Sequence, residues 1–168
     1  MLYPFALILL LALVAPSAMV AAEGDYDWAG IGAEARERGQ PIALLVTGPD
    51  CGYCERLHRE FLDNPATGHT LAGGAITREI SRDTGGKVTD FDGERIRTRL
   101  FLARYDIFAT PTLLLLSPEG EPLAPALVGF NGAQAYGELV ASRLAHASQN
   151  LASGDRPSQA LFASGQER

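Results

Sequence analysis

Apolar and polar positions fall in blocks along this chain, and the period of each block changes from helix to strand and back. Tyr26 to Gly39 carries Trp28, Ile31 and Ala35 at helical spacing and stops at a glycine, so a first helix is expected there. Pro41 to Thr47 contains the unbroken run Ile42, Ala43, Leu44, Leu45 and Val46, the pattern of a strand buried on both faces. Gly48-Pro49-Asp50 ends that strand, and from Cys51 the positions Cys54, Leu57, Phe61 and Leu62 return to a helical repeat that Asn64-Pro65 closes. Ile76, Arg78 and Ile80 alternate with Thr77, Glu79 and Ser81, a mixed-polarity strand suited to a sheet edge.

The second half repeats the scheme. Asp83 to Gly93 is rich in Gly and Asp and reads as irregular, and Glu94 to Tyr105 reads as a helix through Ile96, Leu100 and Ala103. Thr112 to Leu116 is a short apolar strand, followed by the turn Ser117-Pro118-Glu119-Gly120 with Pro and Gly at their favoured positions. Pro122 and Pro125 restrict the next segment to an edge strand. Asn131 and Gln134 form an expected capping pair for a last helix whose buried stripe is Tyr136, Leu139, Val140 and Leu144. Strand, helix, strand, helix, hairpin and closing helix together describe an α/β domain with a mixed sheet whose first two strands are parallel.

The ends of the chain lie outside this pattern. Residues 1–22 carry no charge, and Leu2 to Val14 is an apolar run too short to span a bilayer comfortably but long enough for the core of a signal peptide. Val20-Ala21-Ala22 offers a cleavage site, although no Lys or Arg precedes the run, and a retained membrane anchor facing the periplasm is the alternative. Residues 23–147 are then one domain of ordinary size, and residues 148–168, composed largely of Ser, Ala, Gly and Gln, read as a loose tail. The net charge of -6 argues against a nucleic-acid backbone as the main partner.

The candidate chemistry lies in the only two cysteines, Cys51 and Cys54, which stand in the tetrapeptide Cys51-Gly52-Tyr53-Cys54. Two thiols at this spacing close into a small disulfide and reopen with little backbone movement, as a dithiol redox centre requires. Helical spacing turns Cys54 inward and leaves Cys51 at the helix start. A thiol with pKa about 8.5 is only about 3% thiolate at neutral pH, whereas a pKa near 6.5 makes it about three-quarters thiolate. Helix-terminus charge contributes on the order of 0.3 to 1 kcal/mol, less than that shift requires, so hydrogen bonds to the sulfur must supply the rest. Asp50 opposes activation unless its carboxylate turns away to cap the helix.

From Trp28 to about Ala147 the chain resembles exported thioredoxin-fold proteins. The likeness rests on the apolar strand before Cys51-Gly52-Tyr53-Cys54, the run Val88-Thr89-Asp90-Phe91-Asp92-Gly93-Glu94, Ala109-Thr110-Pro111-Thr112 opening a strand, Pro118-Glu119-Gly120, and Val128-Gly129-Phe130. The order is most similar to SoxW-type periplasmic thioredoxins, and the dipeptide Gly52-Tyr53 is also similar to that of the disulfide isomerase DsbC. The resemblance implies a central mixed sheet of about four strands flanked by helices, and a periplasmic thiol-disulfide oxidoreductase that reduces protein disulfides. It further implies Cys51 as nucleophile, Cys54 as resolving thiol, and Gly52, Tyr53, Thr110 and Pro111 as the substrate-binding surface. It implies a membrane electron donor of the DsbD/CcdA type; with no nucleotide or haem motif no cofactor is expected, and with no dimerisation domain a monomer is expected. An X-Pro bond is cis in only about 5% of cases, so the cis bond expected before Pro111 comes from the resemblance alone. Gly129 would let the backbone pass close beneath the site. One departure is chemical: thioredoxins bury an acid six positions before the nucleophile, and Leu45 occupies that place here.

Other uses of the same residues have weaker support. A purely structural disulfide closing a four-residue loop stabilises by about 2 kcal/mol, against about 3 for a fifteen-residue loop. A metal would have to recruit Cys51, Cys54, His58 and His69, but without a second Cys pair the zinc signature is lacking, and no metal is expected. His58 reads as a packed histidine beside its helix's apolar face. Arg95, Arg97, Arg99 and Arg104 read as a solvated helix face, and Asp90, Asp92, Gly93 and Glu94 as a turn, not a calcium loop. A binding module without catalysis, and a disulfide oxidant or isomerase, remain alternative functions.

Overall fold

Successive residues of the run Ile42–Thr47 feed opposite faces of a sheet. This is why a continuous apolar stretch, rather than an alternating one, forms strand β1, buried along its whole length. In the computed structural model, which describes residues 26–154, β1 lies inside a four-stranded mixed sheet of order β2-β1-β5-β6. Strand β2 (Ile76–Ser81) runs parallel to it at one edge. On its other side β5 (Thr112–Leu116) runs antiparallel, and β6 (Leu127–Val128) closes the far edge. The three strands read from apolar patterning, the edge position of β2 and the parallel pairing of the first two strands hold.

The two faces carry two cores. Ile42, Leu44 and Val46 with Leu114 and Leu116 meet Trp28 and Ala35 of helix α1 (Trp28–Arg38) and the aromatic stack of Trp28 and Phe101. Ala43, Leu45, Leu113 and Leu115 face the opposite layer, where they meet Leu57, Phe61, Tyr136 and Val140. That layer holds helix α2 (Gly52–Leu57), a π-helical turn His58–Leu62, helix α3 (His69–Gly74) and helix α5 (Ala133–Ser153). Helix α1 begins at Asp27, whose carboxylate accepts from the Gly30 amide, and ends at left-handed Gly39, as its composition foretold.

Several expectations are corrected. The helix expected over Glu94 to Tyr105 is shorter: Arg95–Arg97 forms strand β4, paired with β3 (Lys87–Thr89) in a separate hairpin, and only Thr98–Ala103 is helical, as α4. The hairpin turn closes through the Asp90 amide on the Glu94 carbonyl, with Gly93 at a positive φ of 86°, so this segment is a turn as read. Ile96 does not begin a helical stripe. It packs instead opposite Val88, and the buried face of α4 is Thr98, Phe101 and Leu102 while Leu100 is 54% exposed. Helix α3 carries a single buried apolar residue, Leu71, and so left no periodic signal. Asn131 and Gln134 do not cap α5; Gly132 precedes it without a side-chain cap, and Gln134 instead donates to Glu138 one turn on.

Helix α5 also runs on to Ser153, past Ser148. Asn150 donates to the Leu123 carbonyl and Leu151 packs on the core, contacts that a reading of helical periodicity alone does not supply. The apolar leader at residues 1–22 and the end of the expected tail lie outside the described residues. Among the described residues no helix is long and apolar enough to cross a membrane.

Candidate active site

Cys51 sits where β1 has ended and α2 begins, and the chain reaches it through Asp50 at a positive φ of 51°. The cysteine itself is the helix N-cap: its sulfur accepts from the Cys54 amide at 3.1 Å. Asp50 therefore does not cap the helix, the one arrangement that would have removed its opposition to a thiolate at Cys51, and remains exposed. Cys51 and Cys54 form a disulfide with their Cα atoms 5.2 Å apart. Their environments differ. Cys54 is 5% exposed beneath the helix, whereas Cys51 is half-buried and reachable.

The other expected site residues converge on this disulfide. The Thr110 hydroxyl lies 3.5 Å from the Cys51 sulfur, within hydrogen-bond reach. The Thr110-Pro111 peptide bond is cis, and Pro111 is buried at the start of β5. Gly52 is exposed and Tyr53 is 59% exposed. Tyr53 lines a depression of about 440 Å³ with Thr110, Val128, Phe130 and Leu139, apolar in most of its wall. Gly129 borders it, but an added Cβ there meets nothing within 4 Å. What requires glycine at 129 is its φ of 81°, with its amide donating to the Pro111 carbonyl at 2.7 Å, not the close backbone approach that was expected.

On the other side of the disulfide lies a cleft of about 410 Å³ to which mostly polar and charged residues contribute. Its wall brings together residues that no local pattern groups: Thr47 from β1, His58 from the π-helical turn and Glu79 from β2, beside Cys51 and Cys54. His58 Nε2 lies 2.9 Å from Glu79 Oε2, and Thr47 donates from Oγ1 to Glu79 Oε1 at 2.9 Å. His58 is thus half-exposed and held against the Glu79 carboxylate, not the packed histidine of the sequence reading. His69 lies away from this group, its Nδ1 3.3 Å from the Pro65 carbonyl oxygen, and among the described residues no three His, Cys, Asp or Glu side chains converge as a metal site. Leu45, where a buried acid was missed, is 2% exposed in the core. The alternation of β2 places Glu79 on one face, but only the register against β1 shows that this face is the one with the cysteines.

The arginines do not share the solvated helix face expected of them. Arg95 and Arg97 lie on β4 and Arg99 on α4, while Arg104 is clasped by the buried carboxylate of Asp90 through both guanidinium nitrogens. Burial works against the charge on Arg104, but the hydrogen bonds and proximity of Asp90 outweigh it and hold the guanidinium pKa above its ordinary value.

Residues 32–142 match the family described as a thioredoxin-like domain. No curated protein matches the chain by sequence. Among solved structures, the chain is similar to a thioredoxin from Thermus thermophilus, with 20% identity, a TM-score of 0.53, and coverage of 70% of this chain and 83% of that one. It is similar to the DsbH oxidoreductase at 20% identity and a TM-score of 0.54, covering 80% and 93%. The C-terminal domain of DsbD from Neisseria meningitidis, in its oxidised form, aligns at 15% identity and a TM-score of 0.52, covering 71% and 98%. At these identities the likeness is one of fold.

Proposed function

This chain belongs to the thioredoxin-like domain family, and on that premise we propose that it is a thiol-disulfide oxidoreductase working through the Cys51/Cys54 dithiol. The observation that carries this is the asymmetry of the pair: a reachable sulfur at the helix start with two donors aimed at it, and a buried partner three residues on. In the reduced state the Cys54 amide and the Thr110 hydroxyl stand where a Cys51 thiolate would accept them. Hydrogen bonds to the charged form favour it, which is the contribution that helix-terminus charge alone leaves short.

The Cys51 thiolate attacks a disulfide in a protein substrate, forms a mixed disulfide and releases one substrate thiol. Cys54 then attacks the Cys51 sulfur and releases the second. Gly52, Tyr53, Thr110 and Pro111 form the surface on which the substrate lies, with the apolar depression beside Tyr53 receiving side chains next to its disulfide. The protein acts as a reductant, exported to the periplasm as a SoxW-type thioredoxin by a leader at residues 1–22. It is monomeric and recharged by a membrane donor of the DsbD/CcdA type, its domain extending to the end of α5 at Ser153. The uncharged apolar leader and a dithiol suited to an oxidising compartment support this placement.

The roles of the two cysteines are tested by trapping. In Cys54→Ser the resolving step is absent, so covalent mixed disulfides with partner proteins accumulate on non-reducing gels, while Cys51→Ser accumulates few. Equal trapping by the two variants would refute the assignment. Rapid acid quenching and alkylation in the cell reads the direction, since a reductant is held mostly as the dithiol.

A further inference from the structure

Resolution of the mixed disulfide requires Cys54 to lose its proton. Cys54 is 5% exposed, and Leu45, in the place where thioredoxins bury an acid, offers no acceptor. The register of β1 against β2 sets Glu79 directly across from Leu45. Side chains of register partners share a face, and on this face of the sheet lie α2 and the π-helical turn. The carboxylate absent from one strand is therefore present on the next.

It does not stand alone. Thr47, two residues along β1 from Leu45, donates to Glu79 Oε1, and Glu79 Oε2 meets His58 Nε2 at 2.9 Å. The Tyr26 hydroxyl, from before α1, donates to the Glu79 main-chain carbonyl. His58 follows Cys54 by one helical turn, its amide donating to the Cys54 carbonyl, and both side chains line the same cleft. With Nε2–H donating to Glu79, the neutral imidazole keeps Nδ1 as its basic nitrogen. Nδ1 lies 4.0 Å from Asp63 Oδ1, so a proton gained there sits between two carboxylates. The other charged groups facing the cleft are Asp50, Glu55 and Arg59.

We propose that His58, oriented by Glu79 and Thr47, is the proton-exchange residue for Cys54. Its role presupposes the dithiol exchange proposed above. In the resolving step the Cys54 thiol passes its proton through the solvent of the cleft to His58 Nδ1. The resulting thiolate forms the bond to the Cys51 sulfur, and the bond from Cys51 to the substrate sulfur breaks. The substrate leaves as a thiolate that takes a proton from solvent, and His58 returns its own proton to solvent. Across the whole cycle the substrate disulfide is the oxidant, the protein dithiol is oxidised, and two electrons and two protons pass to the substrate. Reduction of the pair runs the same transfer backward, with imidazolium protonating the Cys54 thiolate as it departs. Glu79 and Thr47 are positioning residues.

The experiment mixes the full, reduced protein with excess dipyridyl disulfide and follows thiopyridone release by stopped flow. The first equivalent reports attack by Cys51 and the second reports resolution by Cys54. In the wild type the second phase rises with pH through the imidazole range and then levels. In His58→Gln it is on the order of 10²-fold slower near neutral pH, rises with pH toward the ordinary thiol range of about 8.5, and meets the wild type there. Glu79→Gln, which keeps a partner for Thr47, gives a smaller loss confined to the second phase, because the imidazole is less firmly oriented. Near-UV circular dichroism identifies any variant that fails to fold, and either substitution suffices. Superimposable second-phase pH profiles in the wild type and the folded variants overturn the role of His58. Absence of a rapid first phase in the wild type overturns the dithiol reading itself, and the two failures are thereby told apart.

Discussion

Gly32 shows how a single residue can invert an ordinary expectation. Replacing a mid-helix glycine by alanine usually stabilises by about 1 kcal/mol, since alanine costs less backbone entropy to order. At Gly32, however, a Cβ would lie 2.3 Å from the carbonyl oxygen of Pro118, main chain that cannot rotate away. Overpacking of this kind costs about 1 to 3 kcal/mol, so the steric term exceeds the propensity term. Gly32→Ala is expected to lower the melting temperature; an increase would show that α1 shifts at little cost. Leu45 is the opposite case. Its side chain belongs to the core beside Leu57 and Phe61, and the polar function its place suggests has moved to the residue across from it.

Among the elements, the β3–β4 hairpin and α4 depend on a polar clasp. Asp90 is 3% exposed, and its carboxylate accepts from Arg104 and from the Phe91 amide. The Arg104 guanidinium also lies 5.6 Å from the centre of the Phe101 ring, within reach of a cation–π contact. Arg104→Met keeps much of the packing and leaves a buried carboxylate short of a partner, for which a cost of about 2 kcal/mol is expected. Urea unfolding should show a lower midpoint with an unchanged slope; an unchanged midpoint would mean that water replaces the guanidinium. The clasp also explains why periodicity does not reveal this hairpin. Ile96, Leu100 and Ala103 happen to fit a helical period, and the hairpin that takes Ile96 out of it depends on residues on both sides of the turn.

At the scale of the whole molecule, α1 is tied to the turn after β5 by Arg36 and Glu119, 2.8 Å apart. The Arg36 hydrogen bond, opposed by partial burial and aided by Ser117, holds the Glu119 carboxyl below its ordinary range. A depressed carboxyl contributes stability that is fully present above its unfolded pKa of about 4.3 and is lost as the pH falls through the lower, folded value. The pair is well exposed, so solvent screening limits its worth to a few tenths of a kcal/mol. Arg36→Ala is accordingly expected to melt slightly below the wild type near neutral pH and to converge with it as the pH falls below about 4. A gap that stays constant into acid would assign the loss to packing of the arginine stem.

Residue order alone specifies the strands β1, β2 and β5, the helices α1 and α2 with the Asn64-Pro65 stop, and the place of the two cysteines between strand and helix. These features are local: an apolar run, a period, a breaker, a pair of thiols at fixed spacing. Tertiary structure decided what depends on residues far apart in the chain. The β3–β4 hairpin, the last turns of α5 held by Asn150 on Leu123, and the meeting of Thr47, His58 and Glu79 beside Cys54 all depend on such contacts. Periodicity tells which face of a strand a residue occupies, but only the register between strands tells what stands opposite. For Glu79 that difference separates an ordinary edge-strand carboxylate from a neighbour of the redox pair.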